Sequence, residues 1–289
     1  MKPASFVYHA PKTVDEAVAL LAETAADDGR ILAGGQSLVP TMAFRMARPG
    51  HLVDINGIAE IAKIETTADA LVIGAGVRHA AFHQPVTKGP LGKLLAFVVR
   101  HIAHYPIRQR GTFCGSLAHA DPSSEWCLTA ATLGATMVVR NADGSREIAA
   151  EDFFQGIMTT ALEEGDMLVA ARLPLLSADT HHGFYEFSRR AGDYAMAAAL
   201  TTYRIENGVM TGVRLGLGGA EASPRRMAEA EAELEGKAPS DKAFRAAAEA
   251  AAEAIDPLED LQADAAFRRD LVRAVARRAL ERASGAKVA

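Results

Sequence analysis

The chain has 289 residues, 49% of them hydrophobic and 23% charged, with a formal net charge of −5. That is ordinary globular composition, with enough apolar residues for a sizeable core and room for one large domain or two to three smaller ones. The acidic balance gives no electrostatic case for nucleic acid, and no apolar run approaches the roughly 20 residues that span a bilayer.

The N-terminus, MKPASFVYHAP, lacks the apolar core of a signal peptide. Thr13 is a helix cap with Glu16 three residues on, and Val14, Ala17, Val18, Leu20 and Leu21 give residues 14–25 an apolar face at helical spacing. Asp27-Asp28-Gly29 closes that helix. Ile31, Leu32 and Ala33 read as a strand, His51 to Ile55 as another, and Asn56-Gly57 as a turn. Ala70 to Gly74 is a strand. The Gly74-Ala75-Gly76 that follows is no dinucleotide fingerprint, because position 79 is His79, and Gly216-Leu217-Gly218 fails likewise at Glu221. Pro90 to His104 carries apolar and basic residues at helical spacing. Glu125 to Leu133 reads as a helix, Ala135 to Arg140 as a strand, Asn141-Ala142-Asp143-Gly144 as a hairpin turn, and Asp166 to Leu173 as a strand ended by Pro174.

Beyond residue 176 the character changes. Phe184 to Phe187, Leu200 to Ile205 and Val213 to Leu217 read as strands, with Asn207-Gly208 as a turn. Three alanine-rich helices follow. Ser223-Pro224 is expected to start the first, Ser240-Asp241 the second, and residues 264–283 form the third. In the last helix Leu271, Val272, Val275, Ala279 and Leu280 make an apolar stripe ringed by Arg268, Arg269, Arg273, Arg277, Arg278 and Arg282. The arginines suit either a solvated face or a surface that docks an acidic partner.

Two stretches concentrate small residues. Ile31-Leu32-Ala33-Gly34-Gly35-Gln36-Ser37-Leu38 breaks from a strand into a Gly-Gly turn, whose free N–H groups suit either a plain strand-to-helix connection or an anion-binding nest. Gly111 to Trp126, GTFCGSLAHADPSSEW, is a second small-residue turn followed by hydroxyls and carboxylates. Two such loops can grip a diphosphate from both sides. His101 and His104 are spaced i, i+3, but no third ligand accompanies them, and no metal site is expected. Cys114 and Cys127 are too few for an all-cysteine iron–sulfur cluster and fit a reducing cytoplasm.

AGGQSL, followed about eighty residues on by GT-x-x-GS-x-AHADPSSE, resembles the FAD-binding medium subunit of the molybdenum hydroxylases. That family includes carbon monoxide, nicotine and quinoline dehydrogenases and the flavin domain of xanthine dehydrogenase. FxYHAPKTVDEAVALL at the start, IRxRGT before the second loop, and RRAGDYAMA around Tyr194 also fit, in the same order and over nearly the whole chain. The resemblance implies an α+β fold. A two-part FAD-binding domain of the vanillyl-alcohol oxidase type would occupy residues 1–56 and 57–175, with a C-terminal α+β domain over 176–289. It implies non-covalent FAD, with molybdopterin on a large partner and [2Fe-2S] clusters on a small one, arranged as a dimer of heterotrimers. Electrons would pass from those clusters through FAD to an external acceptor. The alternative is a stand-alone FAD oxidoreductase with its own substrate, for which the sequence shows no acid–base group and no substrate cap.

Under the resemblance, Gly34, Gly35, Gln36 and Ser37 serve one side of the diphosphate and Thr112, Gly115 and Ser116 the other. Ile31, Leu32, Ala33 and Leu38 flank the first loop. Asp121 and Glu125 accept from ribityl or ribose hydroxyls, or are simply turn and helix-start acids. Tyr194 neighbours the isoalloxazine ring, and Ile102 and Leu168 are apolar contacts. No residue of this chain is assigned a catalytic role. The sequence departs from the family twice. Cys114 stands where a glycine is usual, which is expected to shift that loop slightly. Glu186 lies where related sequences carry lysine, which opposes the charge of a reduced flavin.

Overall fold

The computed structural model describes residues 2–285. The first unit is a three-stranded parallel sheet of β1 (Val7–His9), β2 (Gly29–Leu32) and β3 (His51–Asp54), in the order β1-β3-β2. Helix α1 (Val14–Thr24) buries Val14, Ala17, Val18 and Leu21 and is capped by Thr13, whose Oγ1 accepts from Glu16 N at 3.2 Å. The Glu16 carboxylate reaches back to Lys12 N at 2.6 Å, one residue before the reciprocal partner of a capping box. After β2 the chain turns through Gly34-Gly35 into the short α2 (Leu38–Ala43).

The second unit is an antiparallel sheet in the order β4-β5-β10-β6-β7, made of β4 (Ile64–Thr66), β5 (Ala70–Gly74), β6 (Thr136–Asn141), β7 (Gly144–Ala149) and β10 (Met167–Pro174). The Asn141–Gly144 turn joins β6 to β7 as expected. Helix α7 (Ala150–Phe153) and the ribbon of β8 (Phe154–Gly156) and β9 (Thr159–Thr160) lead on to β10. Helix α3 (Gly89–Val98) is shorter than the pattern through His104 suggested. Beyond its end, Arg108, on α4 (Tyr105–Arg108), donates to the carbonyls of Ile102 at 2.6 Å and Ala103 at 2.8 Å, holding them in a turn where Ala103 takes φ +41°. The second small-residue stretch is mostly helix, α5 (Phe113–His119) and α6 (Glu125–Leu133). Its low helix propensity is overridden by burial of Phe113, Cys114 and Leu117. Trp126, Phe82 and Phe113 form an aromatic triangle with centroids 4.9–5.7 Å apart, each pair contributing about 0.5–1.5 kcal/mol beyond area burial.

The third unit is a four-stranded antiparallel sheet, β11 (His181–Phe187), β12 (Ala197–Glu206), β13 (Val209–Gly218) and β14 (Arg225–Arg226). The expected helix start at Ser223-Pro224 is overturned. Arg225 and Arg226 pair with Leu217 and Gly216 as β14, anchored by Glu221 and Glu231, and α8 (Ala228–Ala232) begins only afterwards. Helix α9 (Asp241–Ala254) is capped by Ser240 and α10 (Ala265–Ala283) by Asp264.

The arginines of α10 are engaged by groups of this chain. Arg268 is buried and donates to Met196 O, Gly219 O and Asp260. Arg269 donates to Ile255 O, Arg273 pairs with Glu249 and Asp270, and Arg277 with Asp241 and Glu281. Arg278 bonds the Tyr185 hydroxyl, and Arg282 bonds Phe184 O and lies over the Tyr185 ring at 4.6 Å.

Candidate functional site

A cavity of about 780 Å³ opens where the three units meet. The first loop forms one wall. Gly35 has φ +70°, where a side chain is strained, and Gly34 lies so close to the second stretch that a Cβ would sit 2.5 Å from Gly111 Cα. The backbone N–H groups of Gly34, Gly35, Gln36 and Ser37 have no acceptor among the described residues, so four consecutive donors remain for a ligand. A relay holds the two walls together. Asn56 Nδ2 donates to Ala33 O at 2.8 Å, and Arg78 donates to both Asn56 Oδ1 and Arg110 O.

The facing wall is the start of α5. Thr112 Oγ1 accepts from Gly115 N at 3.0 Å, which leaves the Thr112 hydroxyl proton to donate elsewhere. His79 lies behind it. Trp126 Nε1 donates to His79 Nδ1 at 3.0 Å, so the ring carries its proton on Nε2, which faces Gly111. Burial first, then Arg108 and Arg78, push the His79 imidazole down to about 4, so it is a neutral donor at physiological pH.

Of the residues expected at the site, Ala33, Gly34, Gly35, Gln36, Ser37, Leu38, Ile102, Thr112, Gly115, Ser116, Asp121, Glu125 and Tyr194 all border this cavity. Ile31, Leu32, Cys114 and Leu168 do not. Ile31 packs against the core from β2, Leu168 is buried on β10, and Leu32 sits beneath Gly35. Cys114 is a buried helical residue whose Sγ approaches Ile73 O at 3.5 Å. Its backbone takes no positive φ, so it needs no shift of the loop, and burial raises the thiol to about 12, which removes any reactive role. Tyr194 is 69% exposed on the rim, so its face is open rather than packed in the core. His101 lies between the Phe97 and Phe184 rings, tilted to both with centroids 4.9 Å away, and no group of metal-ligating side chains occurs among the described residues. The sequence reading omitted His79, Arg30, Ser124, Arg189 and Gln262, which also line the cavity. The lone Trp126 was the available signal for His79, since a buried indole N–H needs an acceptor.

Residues 4–176 match the FAD binding domain in molybdopterin dehydrogenase, and residues 182–283 the CO dehydrogenase flavoprotein C-terminal domain. The chain belongs to the FAD-binding medium-subunit family of the molybdenum hydroxylases. It is 35% identical to the carbon monoxide dehydrogenase medium chain of Hydrogenophaga pseudoflava, over 98% of each chain. It is 33% identical to the nicotine 6-hydroxylase medium subunit of Paenarthrobacter nicotinovorans, over 97% of this chain and 98% of that one. Among solved structures, carbon monoxide dehydrogenase from H. pseudoflava superposes with a TM-score of 0.94 at 37% identity, covering 99% of each chain. Quinoline 2-oxidoreductase from Pseudomonas putida 86 gives 0.92 at 36%, again over 99% of each. The fold is therefore the α+β flavoprotein fold of this family.

The residues present fit the family's cofactor. Four free N–H donors and the Thr112 and Ser116 hydroxyls suit a diphosphate, Asp121 and Glu125 suit sugar or ribityl hydroxyls, and Ile102 and Tyr194 suit an aromatic ring system.

Proposed function

We propose that the chain holds FAD across this cavity and relays electrons from [2Fe-2S] clusters on a small partner to an external acceptor, while substrate is oxidised at a molybdopterin centre on a large partner. The observation that carries this reading is the nest of four unpaired N–H groups, set opposite Thr112 in a cavity walled by all three units. Residues 1–56 and 57–175 form the two halves of the FAD domain, and residues 176–289 the C-terminal flavoprotein domain. That last unit contributes Arg189, Tyr194 and Gln262 to the rim, so the cofactor's exposed edge lies beside it. Bound FAD supplies the exchange between one-electron donors and a two-electron acceptor. Two buried cysteines are too few for an all-cysteine [2Fe-2S] cluster, and no group of metal-ligating side chains occurs among the described residues, so this reading puts the clusters on another chain. A dimer of heterotrimers in the cytoplasm is the assembly we infer.

The test is purification of the tagged chain from its own cells, with measurement of molybdenum, iron and FAD, followed by addition of carbon monoxide or N-heterocycles. Copurifying molybdopterin and iron–sulfur chains, with flavin bleaching when a substrate is added, support the reading. A chain that is isolated alone and oxidises a substrate on its own FAD contradicts it.

A further inference from the structure

His79 is 4% exposed, yet it borders the cavity. Its place is set by a short antiparallel pairing of residues 77–79 with residues 111–113. His79 N donates to Gly111 O at 2.9 Å, Phe113 N donates to Val77 O at 3.0 Å, and Arg78 bridges to Thr112. An indole N–H only donates, so the Trp126 bond makes His79 Nδ1 the acceptor and leaves the ring proton on Nε2. Nε2 finds no acceptor among the described residues and is not sealed from solvent, so its N–H opens on the cavity. Gly111 makes that opening. Its φ is not positive, so the backbone does not demand glycine there, but a Cβ would lie 2.5 Å from Nε2 and 2.7 Å from Cδ2 and would cover the N–H.

The surroundings of this donor suit an anion. Gly111 is also where the two walls approach each other, since a Cβ on Gly34 would sit 2.5 Å from Gly111 Cα. The unpaired N–H groups of Gly34 to Ser37 start on one side of that contact, and the Thr112 hydroxyl follows on the other. Burial first, then Arg108 and Arg78, hold the imidazole neutral at pH 7, so both guanidinium groups stand close to it. Both are fixed by carbonyls, Arg108 by Ile102 O and Ala103 O, and Arg78 by Arg110 O. The wall behind Nε2 is therefore positive, and the ring adds a directed N–H to it rather than a further charge. A buried N–H held in one direction stays unsatisfied until an acceptor arrives, and the ring loses no rotamer freedom when one does.

We propose that His79 is a cofactor-binding residue whose Nε2–H donates, through the gap at Gly111, to a diphosphate oxygen of bound FAD, with Trp126 fixing which ring nitrogen donates. This rests on the cavity being the FAD site. The diphosphate is then held from three places in the chain: the first loop, Thr112, and the turn after β5 that carries His79. A donor bonded to a charged oxygen is stronger than one bonded to a neutral group, so the contact acts on the phosphates rather than on the ring. Adenosine diphosphate shares it with FAD. Riboflavin, which has no phosphate, does not.

The experiment uses the flavin-free full chain and two variants that separate a structural role from a binding one. His79→Asn keeps an amide oxygen for Trp126 near the Nδ1 position but ends short of the Nε2 position. His79→Gln carries an amide N–H out to the Nε2 position. Dissociation constants for FAD and riboflavin are read by flavin fluorescence, and for adenosine diphosphate by competition with FAD. His79→Asn is expected to bind FAD and adenosine diphosphate about tenfold to a hundredfold more weakly than wild type, with riboflavin unchanged, and His79→Gln is expected to recover much of the loss. Wild-type affinity for FAD in His79→Asn, or equal losses for FAD and riboflavin, overturns the proposal and leaves the cofactor reading standing. A wild type that binds neither FAD nor adenosine diphosphate defeats the cofactor reading and this proposal with it. Should His79→Asn misfold by circular dichroism, nitrogen-15 spectra of the wild-type imidazoles decide. The Nε2 proton, assigned by its loss in His79→Gln, should move downfield when FAD or adenosine diphosphate is added and not when riboflavin is, and an unmoved signal overturns the proposal.

Discussion

Trp126 donates its indole N–H to His79 Nδ1 at 3.0 Å, and this bond fixes which ring nitrogen faces the cavity. Trp126→Phe keeps most of the apolar volume but leaves the buried Nδ1 without a donor, at a cost of about 1–3 kcal/mol. Both denaturant stability and FAD retention are expected to fall. Unchanged stability would mean that the bond does not hold the wall.

The same imidazole predicts a pH dependence. Its folded value of about 4 lies below its ordinary 6.5, so between these limits the unfolded chain binds the extra proton. The stabilisation is complete above pH 6.5 and is lost as pH falls towards 4, by about 3 kcal/mol over the window. Glu125 acts with opposite sign. Its folded value of about 7 lies above its ordinary 4.5, so its contribution is present below 4.5 and is lost as pH rises to 7. His79→Phe should remove much of the acid-side loss in denaturant titrations, and an unaltered acid-side slope would contradict this.

The two glycines of the first loop should fail for different reasons. Gly34→Ala drives a methyl into Arg110 O and Gly111 Cα, which separates the walls and should sharply lower FAD content. Gly35→Ala strains a residue at φ +70° by about 1–2 kcal/mol, with its Cβ directed at Val39 and Leu32 rather than into the cavity. A lower melting temperature with partial FAD retention is expected there. Full flavin content in Gly34→Ala would contradict the first-loop assignment.

Cys114 and Cys127 are both buried and both raised to about 12, chiefly by burial. The native chain should resist thiol reagents and react fully once denatured. Cys114→Gly adds helix-interior glycine at about 1 kcal/mol and removes packing, so a lower melting temperature with FAD retained is expected. Rapid native labelling would show that α5 opens.

The α10 arginines separate by burial. Arg268→Ala orphans Met196 O and Gly219 O in the core and should cost about 2–4 kcal/mol. Arg273→Ala breaks partly exposed pairs with Glu249 and Asp270 and should cost about 1 kcal/mol or less. Equal effects in urea titrations would contradict this division.

Much of the site could be read from the sequence because it is written locally. Gly34-Gly35 breaks a strand, and Thr13, Ser240 and Asp264 mark helix starts by their own side chains. What escaped depends on distant partners. His79 acquires its role from Trp126, 47 residues on, and α5 is helical because Phe113 and Leu117 are buried, not because GTFCGSLAH favours helix. Strand β14 outcompetes a good Ser-Pro helix signal only because β13 offers pairing. The arginine ring read as surface because Arg282 finds Phe184 O 98 residues away. Cys114 lies next to the cavity residue Gly115 in sequence, but its side chain is buried in the core, as is that of Leu168 on β10.

The most direct test is acid precipitation of the purified chain, with the released flavin identified and quantified beside Gly34→Ala prepared in parallel. The cavity between Gly34–Ser37 and Thr112 predicts equimolar FAD in the wild-type supernatant and strongly depleted FAD in the variant. FMN, colour retained in the pellet, or equal FAD in both proteins would contradict it.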